Sequence, residues 1–414
     1  MSQTQFASLS AMLSYEQARH TVIEQVAKAK RPRATVNVSV WDALGFVLAE
    51  QVKTDREYPP FDRSTRDGYA VRAADAAPGA TLGCAGEIKA GDTVTQPLGP
   101  GTCVQIMTGA AVPARADAVV MIEHTQRDGD MVRFDRAAQP GQNIVPRASE
   151  AKSGQTILSA GMRLGYAELA LTAQVGATQL RCAAKPRVAI LSTGDEVVAI
   201  DQSPGAFQIR NSNSVSLAAQ VRLAGGEPVL LGNAADNVED LRAKIQRGLQ
   251  EDVLVLSGGV SMGKYDLVET VLRDLGAEFY FDSVAIRPGK PAVFGKCGDT
   301  FVFGLPGNPV STMVTFELFV VPAVDLLSGA AARDLPLVQA QLGVALREKP
   351  GLTHFLPACV DWRDGAPLVN ALPWQGSGDI ATLARANCFL VVDAKREQIS
   401  AGETVRILLR KDVT

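Results

Sequence analysis

The sequence predicts a multidomain protein of mixed α/β and β class, built around a central doubly wound α/β domain. At 414 residues the chain exceeds one ordinary hydrophobic core, and its length favours roughly two to four domains. Residues 185–329 alternate short apolar runs with helix-period patterns, as in a parallel sheet covered by helices. The predicted domains are a disordered tail at 1–13, a helical N-terminal unit at 14–51 plus 155–184, an inserted β domain at 52–154, the α/β domain at 185–329 and a C-terminal β barrel at 330–414.

The N-terminal unit carries helical signals. Ser14 followed by Gln17 has the spacing of a capping box, which predicts a helix start. A second helix is expected to start near Ser39 and to carry the apolar residues up to Leu48. Because a helical pattern returns at 166–175, the β domain is expected to be inserted into this unit.

The β and α/β domains differ in their sequence patterns. Turn pairs such as Pro78-Gly79 and Asp128-Gly129 separate short apolar runs in the β domain. In the α/β domain, predicted strands at 188–191, 229–231 and 253–256 alternate with helical patterns. The C-terminal barrel is predicted from Pro- and Gly-punctuated sequence with strand-like runs, at 389–392 and 405–409.

Composition excludes several classes of protein. A net charge of −3 offers no basic excess for nucleic acid. The six cysteines have no Cys-x-x-Cys spacing, which argues against a zinc knuckle or a disulfide framework and favours a reducing cytoplasm. No apolar run approaches the roughly 18 residues that a membrane span needs. We therefore expect small molecules or proteins as partners, and neither nucleic acid nor a membrane.

The stretch 252–266 predicts a ligand-binding turn, because a buried strand there leads into glycines and then a helix. Gly258 and Gly259 would allow close approach to a phosphate. The same stretch nearly matches two other motifs. A phosphate loop would need Ser or Thr where Tyr265 stands, and a nucleophile elbow on Ser261 would need a histidine, whereas only the distant His354 follows. Both readings, the second a serine hydrolase, stay open as remote alternatives.

Carboxylates stand at four turns, at Asp67, Glu196, Asp236 and Asp266. Singly, each is explained as a turn residue or helix cap. Three of them follow strands of one α/β domain, where carboxylates jointly hold a divalent cation against phosphates.

Cations and a second turn follow downstream. Arg287 and Lys290 flank a stiff Pro-Gly turn, and the Pro-Gly-Asn-Pro run at 306–309 leads into a helix. Acidic metal ligands opposite basic anion ligands are typical of a nucleotide or oxyanion transferase.

Six motifs in order resemble molybdopterin molybdenumtransferase, the MoeA and gephyrin E-domain family. They are Asp-Gly-Tyr-Ala at 67–70, Met-Thr-Gly-Ala at 107–110, Ser-Thr-Gly-Asp-Glu at 192–196, Ser-Gly-Gly-Val-Ser at 257–261, Arg-Pro-Gly-Lys-Pro at 287–291 and Gly-Leu-Pro-Gly-Asn-Pro-Val-Ser at 304–311. The resemblance runs from about residue 15 to 409.

The resemblance implies an elongated, four-domain homodimer with a MogA-like molybdopterin-binding domain. Such an enzyme takes molybdate and adenylylated molybdopterin as substrates, uses Mg²⁺ or another divalent cation, and releases AMP. A molybdopterin adenylyltransferase is an implied protein partner. By position, the resemblance assigns the cation and pyrophosphate to Asp67, Glu196, Asp236 and Asp266, and the substrate anions to Thr108, Gly258, Gly259, Ser261, Arg287, Lys290, Pro306, Gly307, Asn308, Ser311 and Ser377.

The chain departs from the family pattern at three site positions. Ala151 stands where an acidic residue is usual, and Leu352 and Pro357 stand where arginines are usual. Glu150 and His354 are the candidates to compensate. These departures keep a second hypothesis open, namely a degenerate paralogue that binds a pterin nucleotide or a partner protein with little turnover.

Overall fold

The computed structural model describes residues 12–29, 34–259, 267–362 and 366–413. The chain divides into two compact units, which are described one at a time. The first unit comprises Met1–Asn37, Gly45–Ala49 and Arg181–Thr414, and the second comprises Val38–Leu44 and Glu50–Leu180.

Helix α1 (Tyr15–Lys28) begins at the predicted capping box. The Ser14 amide donates to Gln17 Oε1 at 2.9 Å, and the Gln17 amide donates to Ser14 Oγ at 3.3 Å. The helix buries one face, formed by Tyr15, Ala18, Val22 and Val26, in the core of the first unit.

The predicted helix near Ser39 is wrong. Residues of alternating β-branched type form strand β1 (Thr35–Ser39), and the chain then turns through Gly45 at a φ of 79°. Val47 and Leu48 are buried, but Leu48 forms a bridge with Cys182 instead of a helical turn. The local β propensity of this run and the left-handed glycine therefore override the apolar spacing.

The second unit is mainly β-structure. Its elements are β2 (Val52–Lys53), β3 (Arg63–Ser64), β4 (Gly68–Val71), β5 (Thr81–Ile88), β6 (Thr102–Ile106), β7 (Ala118–Met121), β8 (Thr125–Asp128), β9 (Met131–Phe134), β10 (Ile144–Val145), β11 (Thr156–Leu158) and α2 (Tyr166–Gln174). Six strands form one sheet in the order β7-β4-β6-β5-β9-β8. Tyr69 and Ala70 are consecutive residues of β4, and they point to opposite faces of the sheet. Each therefore packs in a separate apolar cluster.

The central domain is the predicted doubly wound α/β fold. Strand β12 (Gln179–Ala183) pairs with β1 before it. The elements that follow are β13 (Arg187–Thr193), β14 (Val197–Val198), β15 (Ile209–Arg210), α3 (Ser212–Ala224), β16 (Glu227–Ala234), α4 (Val238–Gly248), β17 (Val253–Ser257), α5 (Leu267–Asp274), β18 (Glu278–Phe281), β19 (Ile286–Arg287), β20 (Val293–Cys297), β21 (Thr300–Leu305), α6 (Pro309–Thr315), a π-helical turn (Phe316–Val320) and α7 (Val321–Leu327).

The central sheet has the strand order β16-β13-β17-β21-β20-β18, in which the first four strands are parallel. Helices α4 and α5 cover one face, and α3, α6 and α7 cover the other. The chain winds in opposite directions from β13, so a crevice opens at the carboxyl ends of β13 and β17.

The expectation that no apolar run approaches membrane-span length is wrong for Pro309–Leu327, which within the described ranges is the one helix long and apolar enough to cross a membrane. In its most apolar window 78% of the residues are buried inside the fold, as in the core helix of a globular protein.

The C-terminal strands form the predicted barrel. The elements of this C-terminal region are β22 (Leu337–Leu342), β23 (Leu346–Arg347), β24 (Thr353–Asp361), β25 (Leu368–Ala371), α8 (Ile380–Arg385), β26 (Cys388–Val392), β27 (Gln398–Ile399) and β28 (Thr404–Leu409). The order β24-β25-β22-β28-β26 closes because β26 also pairs with β24. Strand β19 joins β24 and sets Arg287 beside His354 in register.

Candidate functional site

The glycine turn after β17 is closely packed against the end of β13. Gly258 and Gly259 have φ angles of 91° and 63°, which are in the left-handed region. A Cβ added to Gly259 would stand 2.7 Å from Thr193 Oγ1, and one added to Gly258 would stand 3.0 Å from the Thr193 carbonyl oxygen. Glycine is therefore required sterically at both positions. The Gly258 amide donates to the Leu305 carbonyl at 3.1 Å, whereas Gly259 is exposed at the cavity.

Asn213, in the first turn of α3, connects this turn to the turn at 306–309. Its Nδ2 donates to Ser257 Oγ and to the Gly307 carbonyl, each at 2.7 Å. Asn211 caps α3 by accepting from the Ser214 amide at 3.0 Å. Sequence reasoning missed Asn213, because its two partners lie 44 and 94 positions later in the chain.

Two buried polar atoms point to a missing ligand group. Asn213 Oδ1 and Thr193 Oγ1 are buried and have no hydrogen-bond partner among the described residues. Because buried polar groups are nearly always paired, such atoms mark a place for water or a polar ligand. Both residues line a cavity of about 490 Å³ at the carboxyl edge of the sheet.

This 490 Å³ cavity brings together most of the residues predicted to contact the pterin nucleotide. They are Glu196, Asp236, Gly258, Gly259, Pro306, Gly307 and Asn308. Ser261 and Asp266 lie outside the described residues. Glu196 folds over Gly194, where an added Cβ would stand 2.4 Å from Glu196 Oε2, and the φ of 123° at Gly194 favours glycine at this position. The Asp236 amide donates to Asp195 Oδ1 at 3.0 Å, which fixes the backbone beside the second carboxylate.

An adjoining cavity of about 340 Å³ contains the predicted anion ligands Arg287, Lys290, Ser311 and Ser377. It shares Pro291, Pro306 and Asn308 with the larger cavity. Asn308 Nδ2 donates to Ser377 Oγ at 2.9 Å, which leaves the serine hydroxyl hydrogen able to reach a ligand.

The cations of the 340 Å³ cavity are available. Within the described part of the chain, Arg287 and Lys290 have no side-chain ion-pair or hydrogen-bond partner, and both are exposed. Leu352 and Trp374 form an apolar part of the wall. The arginine that the family pattern places at the Leu352 position would have been a third cation. Pro357 is buried in β24 opposite Phe389.

Asp67 and Thr108 belong to the second unit. The Thr108 amide donates to Asp67 Oδ1 at 2.6 Å, and this bond lowers the pKa of the Asp67 carboxyl below its usual value. Asp67 is thus held ionised at the turn before β4.

The two compensating candidates are already engaged. Glu150 Oε1 accepts from Arg63 at 2.8 Å, and Ala151 is buried and bridged to Tyr58. His354 is 1% exposed inside the barrel. Its Nε2 lies 3.0 Å from the Lys349 carbonyl, and its Nδ1 lies 2.8 Å from Glu348 but without hydrogen-bond geometry, so this buried ring lies among groups of its own domain.

Divalent-cation ligands are incomplete within the described ranges. No group of three His, Cys, Asp or Glu side chains stands together there. Glu196 and Asp236 line one cavity, and Mg²⁺ commonly takes one or two carboxylates, with waters and substrate phosphates completing its shell. The donor set therefore fits a cation shared with a bound phosphate.

The fold and the two cavities define an α/β protein with two adjoining polar cavities at the carboxyl edge of a parallel sheet, one lined by carboxylates and glycines and the other by two cations. Family comparisons agree and are more specific. Residues 13–176 match the MoeA N-terminal region (domain I and II), 189–325 match a probable molybdopterin binding domain, and 339–409 match the MoeA C-terminal region (domain IV). The chain belongs to the molybdopterin molybdenumtransferase family.

Relatives cover nearly the whole chain. A molybdopterin molybdenumtransferase of Haemophilus influenzae is 33% identical over 96% of this chain and 98% of its own length. One from Nostoc sp. is 34% identical over 96% of this chain and 94% of its own length. The crystal structure of a molybdopterin biosynthesis MoeA protein from Pyrococcus horikoshii aligns at a TM-score of 0.73 and 32% identity, covering 96% of this chain and 99% of that one.

Proposed function

We propose that this chain inserts molybdate into adenylylated molybdopterin, with release of AMP, as a molybdopterin molybdotransferase in molybdenum cofactor biosynthesis. Membership of a family whose relatives carry that name over almost their whole length supports the reaction class. The observation that carries the proposal is the pair of adjoining cavities that share Pro306 and Asn308. One offers carboxylates and glycine turns, and the other offers unpaired cations, so two different anions are held side by side.

The 490 Å³ cavity is proposed to hold the phosphates of the pterin nucleotide. The Gly258 amide donates to the Leu305 carbonyl at 3.1 Å, so the exposed Gly259 is the glycine proposed to let a phosphate approach the backbone closely. Gly307 packs against Gly258, where an added Cβ would stand 3.4 Å from the Gly258 Cα. Thr193 Oγ1 is a donor without a partner among the described residues, and it faces the same space. Ser261 is proposed as a further donor and not as a nucleophile.

Asp67, Glu196, Asp236 and Asp266 are each proposed to bind Mg²⁺ or another divalent cation. When bound, such a cation neutralises phosphoanhydride charge that otherwise repels an incoming oxyanion. The chain itself keeps Asp67 ionised through the Thr108 amide and keeps the Glu196 carboxylate over Gly194.

The 340 Å³ cavity is proposed to hold molybdate. Molybdate is a dianion with four oxygens, and it needs cations and hydroxyl or N–H donors. Arg287 and Lys290 supply charge, while Ser311 and Ser377 supply hydroxyls. Because Asn308 reaches both cavities, it is proposed to fix the separation of the molybdate from the phosphates.

We further propose that the chain acts as a homodimer in the cytoplasm and receives its substrate from a molybdopterin adenylyltransferase. All six cysteines are free thiols, which suits a reducing compartment. Light scattering coupled to size-exclusion chromatography tests the dimer, and a mass near 43.8 kDa would contradict it.

One alternative has specific support. Leu352, Pro357 and Ala151 remove charges that the family pattern supplies, and Glu150 is already paired with Arg63. A site that lacks these charges is expected for a paralogue that binds the pterin nucleotide with little turnover.

The deciding experiment incubates purified protein with adenylylated molybdopterin, Mg²⁺ and molybdate and follows AMP by chromatography. The proposal predicts AMP release that depends on molybdate and that needs a higher molybdate concentration in Arg287→Ala. Binding of the nucleotide without molybdate-dependent AMP release would support the paralogue instead.

A further inference from the structure

A third cavity, of about 460 Å³, lies between α3, the helical stretch Pro309–Leu327 and the end of β28. None of its residues lines the two cavities described above. Its walls are mostly apolar, and are formed by Ala219, Leu223, Met313, Val321, Leu383 and Phe389. Its size is in the usual range for a site that encloses a small molecule.

The polar part of this 460 Å³ cavity is built on an irregular helix. Glu317 stands in the π-helical turn, a rare conformation that is frequent at functional sites. Gln220 Nε2 donates to Glu317 Oε1 at 2.9 Å and to the Met313 carbonyl at 3.1 Å. Gln220 Oε1 is buried and has no partner among the described residues. The cavity therefore presents a carboxyl group and an amide oxygen that still need donors.

Charges around Glu317 restrict the ligand. Burial raises the pKa of the Glu317 carboxyl, while Gln220, Lys411 and Arg333 act in the opposite direction. Arg333 is held by Asp325 at 2.7 Å and by the Ala224 carbonyl at 2.9 Å. Lys411 is exposed at the same cavity and has no hydrogen-bond partner among the described residues. Asp412 also lines the cavity but is paired with Arg410 at 2.6 Å, so Arg333 and Lys411 remain to disfavour a cationic ligand and to favour neutral N–H donors joined to an acidic substituent.

We propose that this cavity binds a 2-amino-4-oxo-pyrimidine ring, the ring that guanine and pterins share, with an acidic substituent at Lys411. The ring N–H and one N–H of the 2-amino group form a parallel pair that matches the two oxygens of Glu317. The second N–H of the amino group serves Gln220 Oε1. The flat apolar body suits the walls around Leu223 and Phe389. This assignment is independent of the proposed reaction, because the residues concerned are separate.

The test is calorimetric titration of the full chain with guanosine 5′-monophosphate and, separately, inosine 5′-monophosphate, which lacks only the 2-amino group. Because a buried acceptor left unpaired weakens binding by roughly tenfold to a hundredfold, the guanine nucleotide is expected to bind that much more tightly. A parallel titration with pterin-6-carboxylate shows whether the ring comes from a guanine nucleotide or from a pterin. The ligand that binds more tightly identifies the class of the natural ligand.

Variants test whether the heat measured in the titration comes from binding in this cavity. Leu223 is 60% exposed at the entrance of the cavity, so Leu223→Arg places a large side chain there. Glu317→Gln replaces one of the two acceptor oxygens with an N–H₂ group. Both should lose the preference for the 2-amino group. Val215→Arg, on the same helix and 54% exposed but outside the cavity, should keep it. Binding that is absent, equal for the two nucleotides, or unchanged in Leu223→Arg would overturn the proposal, as would a change of oligomeric state in that variant alone.

Discussion

Asn213→Asp tests how the two turns at the sheet edge are held together. Asn213 Nδ2 donates to Ser257 Oγ and to the Gly307 carbonyl at 2.7 Å, and an aspartate replaces that donor with an oxygen of the same shape. Two hydrogen bonds, at about 1 kcal/mol each, are lost. The Gly307 carbonyl then faces a carboxylate, but it lies at an exposed position where water can replace the lost donor.

The expected loss is therefore about 2 kcal/mol of unfolding free energy, measured by urea unfolding of the wild type and both Asn213 variants. Asn213→Ala is the matched control, because it removes the same donors without adding charge. It should lose less stability and should weaken nucleotide binding less than the aspartate, which repels phosphate. Equal stability of Asn213→Asp and the wild type would refute the proposed link between the turns.

Three further predictions concern the anion cavity and the second unit. Arg287→Ala should raise the KM for molybdate about 10-fold to 150-fold, because a charged hydrogen bond contributes roughly 1.5–3 kcal/mol, with Lys290→Ala as the comparison; an unchanged KM would put molybdate elsewhere. Leu352→Arg should lower the KM for molybdate by adding a third cation, and no change would show that this wall does not face the anion. Because the pKa of Asp67 is lowered, its bond to the Thr108 amide should persist above the ordinary aspartate pKa and be lost as the pH falls through the lowered value. NMR titration of the Thr108 amide measures this, and a transition above the ordinary pKa would contradict it.

The sequence predicted an element correctly where the residues that determine it lie within one short segment. The capping box at Ser14 and Gln17 forms as expected, since both partners lie in one turn. The apolar run at 253–256 is indeed a central strand, β17. The helix expected near Ser39 failed because Gly45 and the β-branched residues of β1 act locally against the apolar spacing.

The site was predictable only in part, because some of its contacts join distant residues. Glycines at 258 and 259 were identified from their motif, whereas the role of Asn213 depends on Gly307, 94 positions later. The pairing of Glu150 with Arg63 spans 87 positions and removes the acidic substitute that local alignment suggested. Nothing in the helical pattern around Glu317 signalled a π-helical turn, since that turn depends on packing against α3.

The most direct test of the central claim is the ratio of molybdenum retained on the pterin to AMP released in a single turnover. Molybdenum is measured by mass spectrometry of the isolated product, and AMP by chromatography of the same sample. We predict a ratio of one, with both quantities absent when molybdate is omitted. AMP released without retained molybdenum would contradict molybdate insertion.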